Sequence, residues 1–144
     1  MGTLASTCND RPYEKIVSLF KAIRHNNFNR AKNLMSSGID INCINYSGAT
    51  PLIETCRCRY LPQTQIQREE FVQFLIDMGC DIMRIDIHGR TALLYAEMNG
   101  HDAIVELLDR YENRKRKTDF VYELETIAEE DLKDSFKENA KYVH

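Results

Sequence analysis

Toward the C-terminus the apolar residues keep a single beat. Val121, Leu124, Ala128, Leu132, Phe136, Ala140 and Val143 stand three or four apart with polar residues between them, and neither Gly nor Pro occurs after Gly100. That spacing predicts an amphipathic helix. Before Gly100 the pattern breaks into short apolar groups punctuated by glycine. Gly48-Ala49-Thr50-Pro51-Leu52 returns as Gly89-Arg90-Thr91-Ala92-Leu93, an offset of 41 residues (89 − 48). Ser37-Gly38-Ile39-Asp40-Ile41 returns as Met78-Gly79-Cys80-Asp81-Ile82 with the same offset (79 − 38). One shared offset identifies a repeated structural unit.

Each recurring residue has a local job. Gly48 and Gly89 suit a turn that needs positive φ. Thr50 and Thr91 are placed to accept a bond from an orphan N–H of an inner helix, and Pro51 suits the first helical position. Ala92 and Ala96 line that helix, and a small residue at Ala96 lets neighbouring units approach. Leu52, Leu93, Val105 and Leu108 fill the space between helix pairs. Gly38 and Gly79 follow the outer helices as left-handed caps.

The run Asp86-Ile87-His88-Gly89-Arg90-Thr91-Ala92-Leu93-Leu94-Tyr95-Ala96, followed by Gly100-His101, Val105, Leu107 and Leu108, resembles the ankyrin repeat. The resemblance implies an all-α solenoid of helix–turn–helix units joined by short β-hairpin loops. It also implies work done by binding other proteins. Extended upstream, the register finds Ala22, Leu34, Met35, Gly38, Asp40 and Asn42, so a first unit covers residues 12–43. Val17 and Ser18 replace Thr and Pro there, as suits an N-terminal capping unit, with Asp10 and Pro12 placed to start its helix. The second unit covers 44–84 and the third 85–113, with Glu112 where a closing Gly is expected. The His of the family signature is Phe20, Ile53 and Leu94, so its bond to the turn is expected to be missing.

From Thr55 to Val72 is 17 residues, against 9 from Ala22 to Ala31 and from Ala96 to Val105. The middle unit therefore carries an insertion of 8 (17 − 9), expected at residues 59–67, with Thr64 and Gln67 in a capping-box pattern. An insertion of this size and place resembles the vertebrate ankyrin repeat domain-containing protein 34 group.

The remaining features narrow the function. With 144 residues there is room for one domain and a tail, and a net charge of −3 gives no reason to bind nucleic acid. No apolar run reaches the ~20 residues of a membrane span, and the N-terminus does not read as a secretory signal. A reducing compartment is expected, cytoplasmic, with the nucleus open through the basic run Arg114 to Lys117. Five cysteines then remain thiols: Cys8, Cys43, Cys56, Cys58 and Cys80. Cys56 and Cys58 lack the Cys-x-x-Cys or paired-histidine spacing of a metal site. No cofactor is expected and no enzyme, because no phosphate-binding glycine loop, nucleophile elbow or His-Glu-x-x-His helix occurs among or around His25, His88, His101 and His144.

In an ankyrin stack the turn tips and inner helices face a partner. In register these are Ile44, Tyr46, Ser47, Ala49, Arg57 and Cys58 from the middle unit, and Ile85, Ile87, His88, Arg90, Met98 and Asn99 from the last. The chain is expected to bind an unidentified protein or peptide as a monomer. Ile85 and Ile87 equally suit packing between neighbouring turns. Tyr60, Leu61 and Gln63 of the insertion are either a second contact or a tolerated elaboration. Residues 1–11 are expected to be a flexible lead. Met1 to Ser6 fits an N-myristoylation pattern at Gly2, with Cys8 placed for a second acyl chain, so peripheral attachment to a membrane is the alternative. Residues 114–144 form the helical tail, acidic after Lys117, whose apolar stripe either covers the open end of the last unit or binds a partner.

Overall fold

A computed structural model describes residues 11–141, with side chains described through residue 130. Two compact units divide the chain at Leu108, and the first holds the repeats. Its inner helices are α1 (Pro12–Arg24), α3 (Pro51–Arg57) and α5 (Ala92–Met98), and its outer helices are α2 (Phe28–Ser36) and α4 (Gln65–Asp77), with a 3-10 turn at Pro62–Thr64 between α3 and α4. The third outer helix is the start of α6 (Asp102–Lys141). Inner helices pack on one another in series, α2 packs on α1 and α4, and α4 packs on α3. Among the described residues there are no strands. The loops expected as β-hairpins are turns closed by two backbone bonds each, Asn45 N to Ala49 O with Gly48 N to Asn45 O, and Asp86 N to Arg90 O with Gly89 N to Asp86 O, at 3.0 to 3.1 Å.

The start signals explain where the helices begin. Thr50 Oγ1 accepts from Ile53 N and Thr91 Oγ1 from Leu94 N, each at 3.2 Å. Asn27 does the same for α2 through Arg30 N. Helix α1 starts at Pro12 behind Arg11, with no side-chain cap, and Asp10 lies outside the described residues. Glu14 in its first turn and Lys21 and Arg24 in its last complement the helix dipole instead. The residues in register with a turn tip are themselves helical in the first unit, so α1 runs 13 residues where α3 and α5 run 7.

Helical spacing delivers the core: Leu19, Phe20, Ala22 and Ile23 from α1, Phe28, Ala31 and Met35 from α2, and Phe71, Val72, Leu75 and Ile76 from α4 are all buried. Ala22, Thr55 and Ala96 occupy equivalent inner-helix sites and are buried. Thr55 hides its hydroxyl by donating to Pro51 O at 2.7 Å. Ile104 and Leu108 close the last unit, while Leu93, Val105 and Leu107 are only half-buried.

Gly48 has φ +73°, and a Cβ there would stand 3.2 Å from Ile87 N, so glycine is required by both backbone and neighbour. After α1 the left-handed position is taken by Asn26 at φ 57°, where the last unit uses Gly100. Asn tolerates that region better than most side chains.

The insertion is smaller as a loop than expected. On the 41-residue offset Phe28 matches Glu69, so Gln65–Arg68 is an added first turn of α4, which has 13 residues against 9 in α2. Only Cys58 to Leu61 is irregular before the 3-10 turn. The capping box does not form. Thr64 occupies the cap position, but its hydroxyl donates to Leu61 O and accepts from no helix N–H.

The second unit is the remainder of α6. Arg116 pairs with Glu112, and Thr118 and Thr126 donate to carbonyls one turn back. From residue 113 to 130 every side chain is exposed, Phe120, Val121, Tyr122, Leu124 and Ile127 included. Leu132, Phe136, Ala140 and Val143 lie beyond the described side chains.

Candidate functional site

Asn45 and Asp86 build the two turn tips in the same way. Asn45 Oδ1 accepts from Ser47 N and Ala49 N, and Asp86 Oδ1 from His88 N and Arg90 N, at 2.9 and 3.1 Å in each case. These bonds point the intervening side chains outward or inward by position. Tyr46, 88% exposed, and Ile44 stand out from the middle tip. Ile85, His88 and Ile87, the last 69% exposed, stand out from the next, with Met98 exposed on α5. Ile87 N donates to Ser47 O at 3.0 Å, so the two tips are joined and Ile87 sits beside the middle one. Ile85 and Ile87 are largely exposed, although the Ile87 Cγ2 methyl lies beside Gly48 of the middle tip.

Other expected surface residues turn inward. Ala49 and Ser47 are buried, and the Ser47 hydroxyl donates to Asn45 Oδ1 while accepting from Arg57 Nη1. Asn99 is half-buried and donates its amide to Cys56 O and Arg57 O, both at 3.1 Å, which closes the C-terminus of α3. Arg57 leans on Glu54 at 3.8 Å, and the Arg90 guanidinium lies over the Tyr95 ring. The bond between turn and helix that the absent signature histidine would make is supplied one residue later. Tyr95 donates to Asp86 Oδ2, and in the middle unit Asn45 Nδ2 donates to Glu54 Oε2. Burial pushes the Asp86 carboxyl upward, but the bonds from Tyr95 and from the Arg90 and His88 amides outweigh it and hold the group below its usual range.

A face that the sequence did not suggest flanks the tips. Tyr13, Ile16, Val17 and Phe20 of α1 form, with Ile44 and Tyr46, an apolar groove of about 470 Å³. It exists because α1 has no turn of its own. The only cue was the replacement of the capping Thr and Pro by Val17 and Ser18.

The insertion is tied down by buried polar groups. Arg68 is fully buried: Nη1 donates to Thr55 O at 2.8 Å, and Nη2 donates to Asn26 Oδ1 at 2.7 Å and Arg59 O at 3.3 Å. His101, also buried, bonds through Nε2 to Cys58 O at 2.7 Å and through Nδ1 to Gln65 Oε1 at 3.2 Å. Desolvation disfavours the imidazolium and Arg68 adds to the effect, so the His101 pKa is lowered despite the bond to Cys58 O. Tyr60 and Leu61 are exposed on this segment, with Gln63.

Cys43 and Cys80 are buried thiols with pKa raised to about 11, and burial raises Cys56 and Cys58 as well. Thiols so disposed are poor nucleophiles. Among the described residues no three His, Cys, Asp or Glu side chains converge on a metal site. Gly2 and Cys8 lie outside the described residues.

A family model described as "Ankyrin repeats (3 copies)" matches residues 19–119. The chain belongs to the ankyrin repeat family. The E3 ubiquitin-protein ligase XBAT33 of Arabidopsis thaliana is 37% identical over 76 residues, which are 52% of this chain and 13% of that protein. Ankyrin repeat and SAM domain-containing protein 6 of Mus musculus is 32% identical over 92 residues, 62% of this chain and 10% of that protein. This chain thus spans about a tenth of the length of these curated relatives. Such a match carries the fold of the repeats and not the activity for which a whole protein is named. The crystal structure of EF0377, an ankyrin repeat protein, is similar with a TM-score of 0.56 at 32% identity, covering 63% of this chain and 45% of that one. Ankyrin repeats are in general non-enzymatic modules that bind proteins, and no described helix is long and apolar enough to cross a membrane.

Proposed function

We propose that this ankyrin chain is a stoichiometric adaptor that docks a protein partner across its two joined tips and the apolar groove beside them. The observation that carries this reading is the exposure of Tyr46 and Ile87 on adjacent tips held by the Ile87–Ser47 bond. Exposed Tyr, Met and Ile beside arginines are the composition of interface centres rather than of solvated turns. Arg57 and Arg90, though expected at its edge, have internal partners, so charge reversal there would disturb the tips themselves. The informative variant is Tyr46→Ser with Ile87→Ser, which touches no internal bond. Quantitative affinity purification with wild-type bait should enrich a partner that this variant loses while its melting curve is unchanged. Retention of every enriched protein by the variant would count against the surface.

The middle-unit insertion is the ground for likeness to the ankyrin repeat domain-containing protein 34 group, and we place the adaptor's work inside the cell on the same sequence grounds as its free thiols. A second reading, membrane tethering by acylation, rests on Gly2 and Ser6. Mass spectrometry of the N-terminal peptide from a eukaryotic host tests it, an unmodified Gly2 ruling it out.

A further inference from the structure

We propose that the cleft between the turn after α1 and the insertion of the middle unit is an oxyanion site suited to a phosphoryl group. The cleft has a volume of about 430 Å³ and presents Arg24, Arg57, Arg59 and Arg68, with Asn26, against one carboxylate, Glu54. That carboxylate already serves Arg57 and Asn45. Counting side chains, four cations face one anion, a surplus of three positive charges (4 − 1).

Surface arginines alone would carry no argument, since they are solvated at little cost. Arg68 is different. It is fully buried, and all three of its bonds go to neutral oxygens. Among the described residues no carboxylate lies within ion-pair distance of it, and its Nε is a buried donor with no partner. Buried charges are ordinarily paired, and an unused buried donor costs roughly 1–3 kcal/mol. Cys58, on the same cleft, adds no negative charge, because burial keeps it a thiol.

An oxyanion in the cleft offsets the charge deficit, while the Nε itself stays buried beneath it. The guanidinium forks of the exposed Arg24 and Arg59 match a phosphate in geometry, and charge-assisted bonds of this kind are the strong ones. A dianion neutralises more of the surplus than a carboxylate does. Arg24, Arg57 and Arg59 are exposed, so the cleft admits a phosphoryl group carried on a peptide as readily as the free ion. The proposal does not need the adaptor reading, since inorganic phosphate alone reports on it.

The test uses the full chain labelled with ¹⁵N at constant ionic strength, titrated separately with inorganic phosphate, a short phosphoserine peptide and its unphosphorylated twin. The expected result is a saturable shift of the Arg68 Nε–H signal and of the Asn26 and Arg59 amides. The double variant R24Q/R59Q leaves Arg68 and the fold in place and should weaken binding about tenfold, or ~1.4 kcal/mol. Equal affinity for phosphate and phosphopeptide identifies the free ion as ligand, and tighter binding of the phosphopeptide identifies a carried phosphoryl group. Shifts that fail to saturate, that persist undiminished in R24Q/R59Q, or that the unphosphorylated twin reproduces would overturn the proposal.

Discussion

The middle and last repeats share a tip and differ behind it. In both, one side-chain oxygen, of Asn45 or Asp86, holds the turn through amides two and four residues on, and one threonine caps the inner helix. Every such bond spans four residues or fewer. Behind the tip the last unit passes from α5 to α6 through Gly100 and His101, whereas the middle unit passes through an insertion whose carbonyls are satisfied by Arg68 and His101. Those partners lie 9 and 43 residues away. The bonds that shape each tip and cap each inner helix are local, whereas the insertion's Arg59 and Cys58 carbonyls are satisfied by the buried side chains of Arg68 and His101.

That contrast is sharpest in the core. Leu75→Ala beneath the insertion should cost about 2–5 kcal/mol and, in so short an array, unfold it, because Leu75 is fully buried between α4 and its neighbours. Leu93→Ala in the last unit should cost distinctly less, since Leu93 is half-buried. Urea unfolding of both measures the gap, and equal losses would erase it.

The second effect concerns acid. His101 has a pKa lowered in the folded chain, so as pH falls below the unfolded value of about 6.5 the unfolded state takes a proton that the folded state refuses. Stability should therefore decline as pH falls through about 6.5 and below. Asp86, held below the ordinary carboxylate range, loses its contribution only at lower pH. The variant His101→Gln, which keeps a donor for Cys58 O, should flatten that slope in melting curves. A slope as steep as wild type would show that His101 is not the titrating group.

The smallest effect should be the same in both units. Thr50→Ala and Thr91→Ala each remove one cap bond of 3.2 Å and should each cost about 1 kcal/mol. Thermal melting of the two variants should give matching shifts. A large difference would mean that the tips are not equivalent.

The same division governs what could be read from sequence. Gly48, Gly89, Thr50, Thr91 and Pro51 were legible because a positive φ or a cap is a requirement met within a few residues. Tyr46 and Ile87 were legible as tip residues, but Ser47 and Ala49, adjacent in sequence, were not recognisable as buried, because Asn45 rather than any hydrophobic period sets which way the turn faces. Arg68 was invisible. An arginine between Gln67 and Glu69 reads as solvated helix surface, and one of its partners, Asn26, is 42 residues away. The same holds for the groove beside α1, which follows from a turn that is absent rather than from residues that are present.

The claim that binds these observations is that Arg68 holds the insertion to the repeat core. Equilibrium unfolding of Arg68→Met tests it most directly, since methionine keeps much of the apolar stem and removes every bond to Thr55 O, Arg59 O and Asn26. Loss of about 2–4 kcal/mol relative to wild type is the predicted result, because the buried Thr55 carbonyl loses its donor along with the bonds that hold Asn26 and Arg59. Replacing buried charges with apolar side chains is often neutral or stabilising when both partners change, so a variant as stable as wild type, or more so, would contradict the account.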